Sequence, residues 1–329
     1  MNLGVIGLGA TGARAARQLL ASGTVENLDV RDADGERQQA VLAALGDPAG
    51  EGLEAEALDV AVVATAGGGQ ADLAADLVRH GVHVVTTTDA VDDVLALEDL
   101  GREAEARGVT VVVGAGFSPG LTCVLAVHAS SPFDVVEEVH VAKVGTGGPA
   151  CARQHHRALS KPALDWREGG WVRRRGGSGR ELCWFPDPVG PEDCYRAALP
   201  DALLLRPAFP SAQRLTSRVA ANRRDRFTAR LPMLRRPHPE GGPGAVRVEV
   251  RGQRDGVPAE RVLGVMDRPA VAAGAVAAQA ALWVAEGRID RPGSHGLAAL
   301  VDPVPFLAGL ADRGVRAAVF EGSGAASPW

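Results

Sequence analysis

Three glycines near the N-terminus constrain the fold of this 329-residue chain more than any other feature. They form the pattern Gly7-x-Gly9-x-x-Gly12, which directly follows the apolar run Leu3–Ile6 and opens an Ala/Leu-rich segment. In such a strand–loop–helix context the first glycine makes a tight turn and the second lets the backbone approach a pyrophosphate. The third lets the helix pack closely on the strand, and the N-terminus of the helix offers unpaired N–H groups to phosphate. The pattern therefore predicts a dinucleotide-binding βαβ unit.

An acidic residue follows the glycines at the offset of about 20 residues that ribose recognition requires. This residue, Asp32, favours NAD over NADP, whereas Arg31 beside it and Arg37 on the next helix favour the opposite. The sequence predicts NAD(P) as the cofactor and leaves the choice between the two open. The predicted cofactor contacts are Gly7, Gly9, Ala10, Thr11, Gly12, Arg31, Asp32, Ala64, Thr65 and Ala66.

The first 117 residues alternate short apolar runs with amphipathic segments, which is typical of parallel βαβ units. After residue 118 the alternating run Val135–Val144 and Gly-rich turns indicate antiparallel strands. We predict an α/β protein: a Rossmann doubly wound parallel sheet with a second α+β domain built on a mixed or antiparallel sheet. The predicted units are 1–117 (dinucleotide binding), 118–266 (substrate binding and dimerisation) and 267–329 (C-terminal helices packing back on the Rossmann domain). Between Gly46 and Leu58 the segment is too short and too charged to predict a third strand.

Composition narrows the class of partner. A net charge of −5 and a pI near 5.9 give no reason to expect nucleic acid or a membrane surface. The four cysteines lack C-x-x-C spacing, so we expect no metal site and no disulfide framework, as in a reduced cytoplasmic protein without a signal peptide. Lys143 and Lys161 are the only lysines among 35 basic residues. They indicate positions that need a compact or removable charge, with chance retention as the alternative.

The substrate is expected beyond the strand ends. In a sheet of order 3-2-1-4-5-6, the loops after strands four, five and six lie successively further from the first-strand glycine loop. These loops are residues 64–69, 86–89 and 114–120. The last of them, Gly114-Ala-Gly-Phe-Ser-Pro-Gly120, is therefore not a second phosphate-binding loop, because the phosphates are already held at strand one.

The strand-six segment GAGFSPGLT, after a Rossmann pattern containing VVTTTDA, resembles the saccharopine dehydrogenase-like family. The similarity extends to meso-diaminopimelate, carboxynorspermidine and homoserine dehydrogenases. It is close over the first 130 residues or so and looser through GGWV…CWFPDPVG and the C-terminal Ala-rich helix. The resemblance implies an NAD(P)-dependent oxidoreductase, usually dimeric, whose mixed-sheet second domain holds an amino-acid-type substrate.

One position departs from that family. Its members commonly carry Asp before the Pro-Gly pair, where the carboxylate faces a substrate ammonium group, whereas this chain has Ser118. The departure weakens the expectation of an amino-acid substrate bound in the usual orientation. We predict the substrate contacts Ser118, Pro119, Gly120, Thr122 and Arg153, the helix start after Gly120 providing N–H groups for a carboxylate, unless it only begins a helix.

Proton exchange requires a group that titrates or is tuned to do so. We predict Asp89, Lys143, His155 and His156 as catalytic residues, because an Arg/His cluster follows the Lys143 strand and a Gly-rich loop. The alternatives are a helix N-cap for Asp89, an exposed strand position for Lys143 and a solvated helix start for the histidines.

The chain is thus expected to be an NAD(P)-dependent dehydrogenase or reductase of amino acid metabolism, cytoplasmic and homodimeric. Its expected substrate is a small carboxylate-bearing amino acid, imine or keto acid. Reduction of a non-amino carbonyl compound, or dinucleotide binding without catalysis, are the alternatives.

Overall fold

In the computed structural model, two β-sheets share one continuous hydrophobic core. The structure describes residues 1–233, 236–321 and 325–328; for 318–321 and 325–328 only the backbone is described. Within this part of the chain, no helix has the length and apolar character needed to cross a membrane.

The N-terminal half alternates strands and helices. Each helix that follows a strand covers one face of the parallel sheet, so the central strands are buried on both sides and consist almost entirely of Val and Ala. The elements are β1 (Asn2–Ile6), α1 (Ala10–Leu20), β2 (Asn27–Arg31), α2 (Gly35–Leu45), β3 (Ala49–Gly50), β4 (Val60–Val63), α3 (Gln70–Arg79), β5 (His83–Thr86), α4 (Val91–Asp99), α5 (Gly101–Ala106), β6 (Thr110–Val113) and α6 (Leu121–Ser130).

The second half is richer in strands, and its last elements return to the first sheet. The elements are β7 (Val135–Val144), α7 (Pro149–Ala158), β8 (Ala163–Arg167), β9 (Gly170–Arg174), β10 (Glu181–Trp184), β11 (Pro191–Arg196), α8 (Asp201–Leu205), β12 (Arg214–Ala220), α9 (Arg223–Thr228), β13 (Gly244–Arg254), β14 (Val257–Asp267), α10 (Pro269–Ala285), β15 (Gly293–Gly296), α11 (Pro303–Asp312), β16 (Ala317–Glu321) and β17 (Ala325–Pro328).

The first sheet is parallel, with the order β15-β6-β5-β4-β1-β2-β3. The second is mixed and runs β10-β11-β12-β7-β13-β14-β16-β17, with the β8–β9 hairpin joined to β12. The predicted fold class, a Rossmann sheet with a second mixed-sheet unit, is confirmed. The third strand exists but is only two residues long, because the charged segment after Gly46 has few apolar side chains to bury.

The C-terminal segment contributes to both sheets. α10 is buried along almost its whole length and packs on α1, β4 and β5. β15 extends the first sheet, whereas β16 and β17 extend the second, although the sequence indicated only helices there. These strands tie the two sheets together around the cleft.

Candidate active site

A cavity of about 950 Å³ opens at the carboxyl ends of the first-sheet strands. Its walls come from the loops after β1, β2, β4, β5 and β6, from the end of β7 with the start of α7, and from Pro239 and Glu240. A volume of this size lies at the upper end of ordinary ligand sites. The cavity therefore runs from the glycine loop into the space between the two sheets.

The glycine loop has the geometry that a dinucleotide requires. A Cβ atom on Gly12 would lie 1.8 Å from the carbonyl oxygen of Gly7, so only glycine lets α1 pack this closely on the loop. At Gly9, by contrast, a Cβ would meet nothing within 4 Å, and the space beside it belongs to the cavity. Gly7, Gly9, Ala10 and Thr11 line the cavity, and Gly12 lies behind them.

Asp32 is held rigidly at the end of β2. Its Oδ2 accepts a hydrogen bond from the Leu8 amide at 2.6 Å, and its Oδ1 accepts one from the Asp34 amide at 2.8 Å. Burial opposes ionisation, but these amides and the Arg37 guanidinium, 3.1 Å away, outweigh it and lower the pKa of Asp32. Arg31 also lines the cavity, and its guanidinium binds Asp29 and the Leu53 carbonyl.

We predict that Asp32→Ser raises the affinity for NADPH relative to NADH by about tenfold or more, since the carboxylate would repel a 2′-phosphate and also holds Arg37. Fluorescence titration with both reduced cofactors measures the ratio. Asp34→Ser is the control, because it removes the second carboxylate that binds Arg37 but leaves the Asp32 carboxylate in place. An unchanged ratio in Asp32→Ser would show that this carboxylate does not meet the ribose.

The loop after β4 is held in place by a buried carboxylate of α4. Ala64, Thr65 and Ala66 line the cavity as expected. Asp93, a buried residue of α4 that the sequence analysis did not single out, accepts hydrogen bonds from the Gly68 and Gly69 amides at 2.8 and 3.1 Å. A third comes from the Thr88 hydroxyl. One carboxylate thereby joins the loops that follow β4 and β5.

The loop after β6 is a structural elbow and not a carboxylate anchor. The Gly116 carbonyl accepts the first amide of α6, from Leu121, and a Cβ on Gly120 would lie 2.4 Å from the Gly116 backbone. Pro119, Gly120 and Thr122 are buried outside the cavity lining. These three predicted substrate contacts therefore do not line the cavity, and the Leu121 amide at the helix start is bonded within the protein.

A buried carboxylate accepts hydrogen bonds from two of the predicted substrate contacts, Ser118 and Thr122. Asp201, fully shielded from solvent at the start of α8, accepts hydrogen bonds from the Ser118 hydroxyl at 2.9 Å and the Thr122 hydroxyl at 2.6 Å. Ser118 lines the cavity, but its hydroxyl proton is directed to Asp201. Asp201 thus places a carboxylate next to Ser118 from a different element of the chain.

Four side chains converge where β5, β7 and α7 meet. His155 Nε2 lies 2.9 Å from Asp89 Oδ2, and Cys151 Sγ lies 3.5 Å from each of these two atoms. Lys143 is buried beside them, with Nζ donating to the Ser118 carbonyl at 3.0 Å. All four residues line the cavity. The N-cap of α4 is Ala90 and Lys143 is not exposed, so neither structural alternative for Asp89 and Lys143 applies.

The charges of this cluster are mutually stabilised. Burial favours the neutral forms, but the Cys151 sulfur and the Asp89 carboxylate outweigh it and the nearby Lys143 charge, raising the pKa of His155 to about 9. Burial likewise opposes ionisation of Asp89, yet His155 and Lys143 lower its pKa. At neutral pH the pair is therefore an imidazolium hydrogen-bonded to a carboxylate.

This pair has a consequence for stability. Because the pKa of His155 is raised on folding, its contribution to the free energy of unfolding is fully present below about pH 6.5 and is lost as pH rises through about 9. We predict that His155→Gln lowers the melting temperature most at pH values near 6.5 and progressively less towards alkaline pH. Thermal scans of both proteins across this range measure the difference; a gap that widened with pH would contradict the assignment.

The same atoms have the spacing of a metal site. Asp89, Cys151 and His155 each place one ligand atom within 4.8 Å of the others. A bound cation, however, would face the charge of Lys143, and His155 Nδ1 has no hydrogen-bond acceptor among the described residues, whereas metal-binding histidines usually have one. The arrangement suits proton exchange better than metal binding.

Two further predicted site residues, Arg153 and His156, lie on α7, and only Arg153 lines the cavity. His156 is one residue, and so about 100°, from His155 around the helix, and it bonds Thr228 away from the cavity at 3.1 Å. Its side chain therefore does not join the cluster of Asp89, Cys151 and His155 in the cavity. Arg153 lines the cavity with its side chain exposed, and among the described residues it makes no ion pair.

The N-terminus of α7 faces the cofactor loop. Gly147, Gly148, Pro149 and Ala150 line the cavity, and a Cβ on Gly148 would lie 3.3 Å from the Cβ of Ala10 at the start of α1. Two helix N-termini therefore meet at one point of the cavity, where both favour an anion. The sequence pattern predicted this role for the N-terminus of α6.

Comparison with known proteins agrees with this geometry. Residues 1–115 match the model of an oxidoreductase family with an NAD-binding Rossmann fold (Gfo/Idh/MocA). A search of the curated proteins gives no match.

Among solved structures, saccharopine dehydrogenase (L-Glu forming) from Saccharomyces cerevisiae matches with a TM-score of 0.70 and 15% identity, over 97% of this chain and 100% of that one. Diaminopimelate dehydrogenase of C. glutamicum, in complex with diaminopimelate, matches with a TM-score of 0.50 and 15% identity, over 95% and 98%. An amine dehydrogenase from Mycobacterium smegmatis gives 0.52 and 12%, over 92% and 96%. At these identities the likeness establishes the fold. Residues 1–115 thus match the NAD-binding Rossmann domain of this oxidoreductase family, and this match together with the fold supports an NAD(P)-dependent dehydrogenase.

Proposed function

We propose that this dehydrogenase acts on a small carboxylate-bearing substrate, interconverting an amino acid and its imine or keto acid. The observation that carries the proposal is the 2.9 Å hydrogen bond between Asp89 and His155, beside buried Lys143, in the cavity that begins at the glycine loop. The β5 strand that leads to Asp89 is three strands from the Asp32 strand, or about 14 Å at ~4.8 Å per strand. The two carboxylates thus lie at opposite ends of an elongated site.

The residues divide the chemistry among them. Bound NAD(P) supplies the hydride acceptor or donor. The Asp89–His155 pair holds the exchangeable proton between Oδ2 and Nε2, and with the pKa of His155 near 9 it is a proton donor at neutral pH. Lys143, fixed by the Ser118 carbonyl, places positive charge next to the reacting centre. Arg153 offers a planar guanidinium for bidentate binding of a substrate carboxylate.

Reduction of a non-amino carbonyl compound is the second candidate. The observation that favours it is at Ser118, whose hydroxyl donates to Asp201 and presents no carboxylate to a substrate ammonium group. Asp32, Asp89 and Glu240 are the acidic residues in the cavity lining within the described chain, and Asp89 is already bonded by His155.

The two candidates separate in one assay. The purified protein is incubated with NADH or NADPH and a panel of keto acids and aldehydes, with and without ammonium, and the loss of reduced cofactor is followed by absorbance. Oxidation that requires ammonium supports the amino-acid proposal, and oxidation without it supports the carbonyl alternative. Lys143→Met should lose turnover, whereas Lys161→Met, which alters an exposed lysine paired with Asp92, should not. Equal turnover in both variants would remove Lys143 from the proposal.

We also propose a homodimer. The second sheet ends at β10, where Leu182 and Trp184 are exposed on an unpaired edge within the described chain. Exposed apolar edge strands are usually paired or covered. Light scattering should give twice the chain mass of 34.0 kDa, and Leu182→Lys should reduce it to the monomer value.

A further inference from the structure

One cysteine of the chain lies in the cavity and the other three do not. Cys123, Cys183 and Cys194 are buried in the core of the two halves, with at most 3% of their surface exposed. Cys151 is partly exposed and lines the cavity. The proposed hydride transfer gives this thiol no part.

The surroundings of Cys151 place a cation beside its sulfur. Its Sγ lies 3.5 Å from His155 Nε2, four residues further along α7 and therefore on the same face of the helix. Cys151 also lies in the first turn of α7, whose positive end lowers the energy of an anion there. Asp89 Oδ2 lies equally close to the sulfur, and buried Lys143 lines the same cavity.

Access is open from the cavity. Cys151 is partly exposed, and the small residues Gly147, Gly148 and Ala150 line the cavity with it. A buried nucleophile without such access would be inert.

We propose that Cys151 is a nucleophilic thiol that forms a covalent thioether with a soft carbon electrophile, such as an α-halo amide, entering the cofactor cavity. In the step with iodoacetamide, a sulfur lone pair attacks the CH₂ carbon as the C–I bond breaks. Iodide leaves and the thiol proton passes to solvent. No oxidant or cofactor takes part, so the proposal does not rest on the proposed function.

The test is the rate of alkylation by iodoacetamide at near-neutral pH, followed by intact mass and peptide mapping, with glutathione as the reference thiol. We expect one adduct, on Cys151, forming about tenfold or more faster than on glutathione. The three buried cysteines are internal controls and should stay unmodified until the protein is unfolded. A rate at Cys151 equal to or below that of glutathione, or a first adduct on another cysteine, would overturn the proposal.

A pair of neighbouring histidines gives the matched variants. His155→Gln keeps a partner for Asp89 but removes the cation, and should slow alkylation about tenfold or more. His156→Gln changes the adjacent imidazole, which lies outside the cavity, and should leave the rate unchanged. Thermal unfolding confirms that both variants are folded at the assay temperature. Equal rates in wild type and His155→Gln would show that the imidazole does not activate the sulfur.

Alkylation of Cys151 in the presence of bound cofactor tests this inference separately from the proposed function. Saturating NADH or NADPH should slow alkylation, because cofactor and thiol share the cavity. Fast, single-site alkylation without protection would support the nucleophile and count against the cofactor placement on which the proposed function depends.

Discussion

Replacing either member of the Asp89–His155 pair should lower kcat by about 10²–10⁴, the range for loss of general acid–base catalysis. Asp89→Asn leaves the side chain the same size but removes one of the groups that raise the pKa of His155. His155→Gln retains a hydrogen-bonding side chain but cannot exchange a proton near neutral pH. Steady-state kinetics with the substrate identified by the ammonium assay provide kcat, and cofactor titration provides Kd, which should change little.

The control variants change residues close in sequence to Asp89 and His155 that do not line the cavity. Asp92→Asn removes an exposed carboxylate bonded to Lys161, and His156→Gln removes the imidazole on the other side of α7. Both should retain wild-type kcat. If Asp89→Asn lost no more turnover than Asp92→Asn, the pair would not be the proton-exchange site.

The second large effect is expected at the glycine loop. Gly12→Ala places a methyl group 1.8 Å from the Gly7 carbonyl oxygen, so α1 must move away from the strand it packs against. Overpacking of this kind usually costs about 1–3 kcal/mol of stability, and the displaced helix can no longer present its N-terminus to the pyrophosphate. We expect a lower melting temperature together with a loss of NADH affinity of about a hundredfold or more.

Alanine variants of Gly9 and Gly35 serve as controls for Gly12→Ala. A Cβ at Gly9 or Gly35 meets nothing within 4 Å, and neither has a positive φ. Gly9→Ala should keep the melting temperature but lose NADH affinity, because its methyl group occupies cofactor space. Gly35→Ala, outside the cavity, should keep both. Unchanged NADH affinity in Gly9→Ala would place the pyrophosphate elsewhere.

The fold was predictable because its signals are local. The glycine pattern and the alternation of Val-rich runs with amphipathic segments depend on neighbours within a few residues, and they predicted the parallel sheet correctly. β15 could not be predicted, because Gly293–Gly296 has no strand pattern of its own. It forms only because the backbone pairs with the edge of β6.

The site was predictable only in part. Asp89, Lys143 and His155 carry reactive groups next to strand ends, and the structure brings them into one cavity. Cys151 had a usable signal, since it precedes His155 by one helical turn, but the helix had to be assigned first. Asp201 had none, because its contacts with Ser118 and Thr122 span 83 and 79 residues of sequence.

The cofactor site at the glycine loop is tested most directly by equilibrium binding of NADH and NADPH, measured by fluorescence and calorimetry on wild type and Gly9→Ala. We expect the wild type to bind at least one of the two cofactors at one site per chain. Gly9→Ala should bind it with strongly reduced affinity at an unchanged melting temperature. Absence of binding by both cofactors to the folded wild-type protein would contradict this assignment of the site.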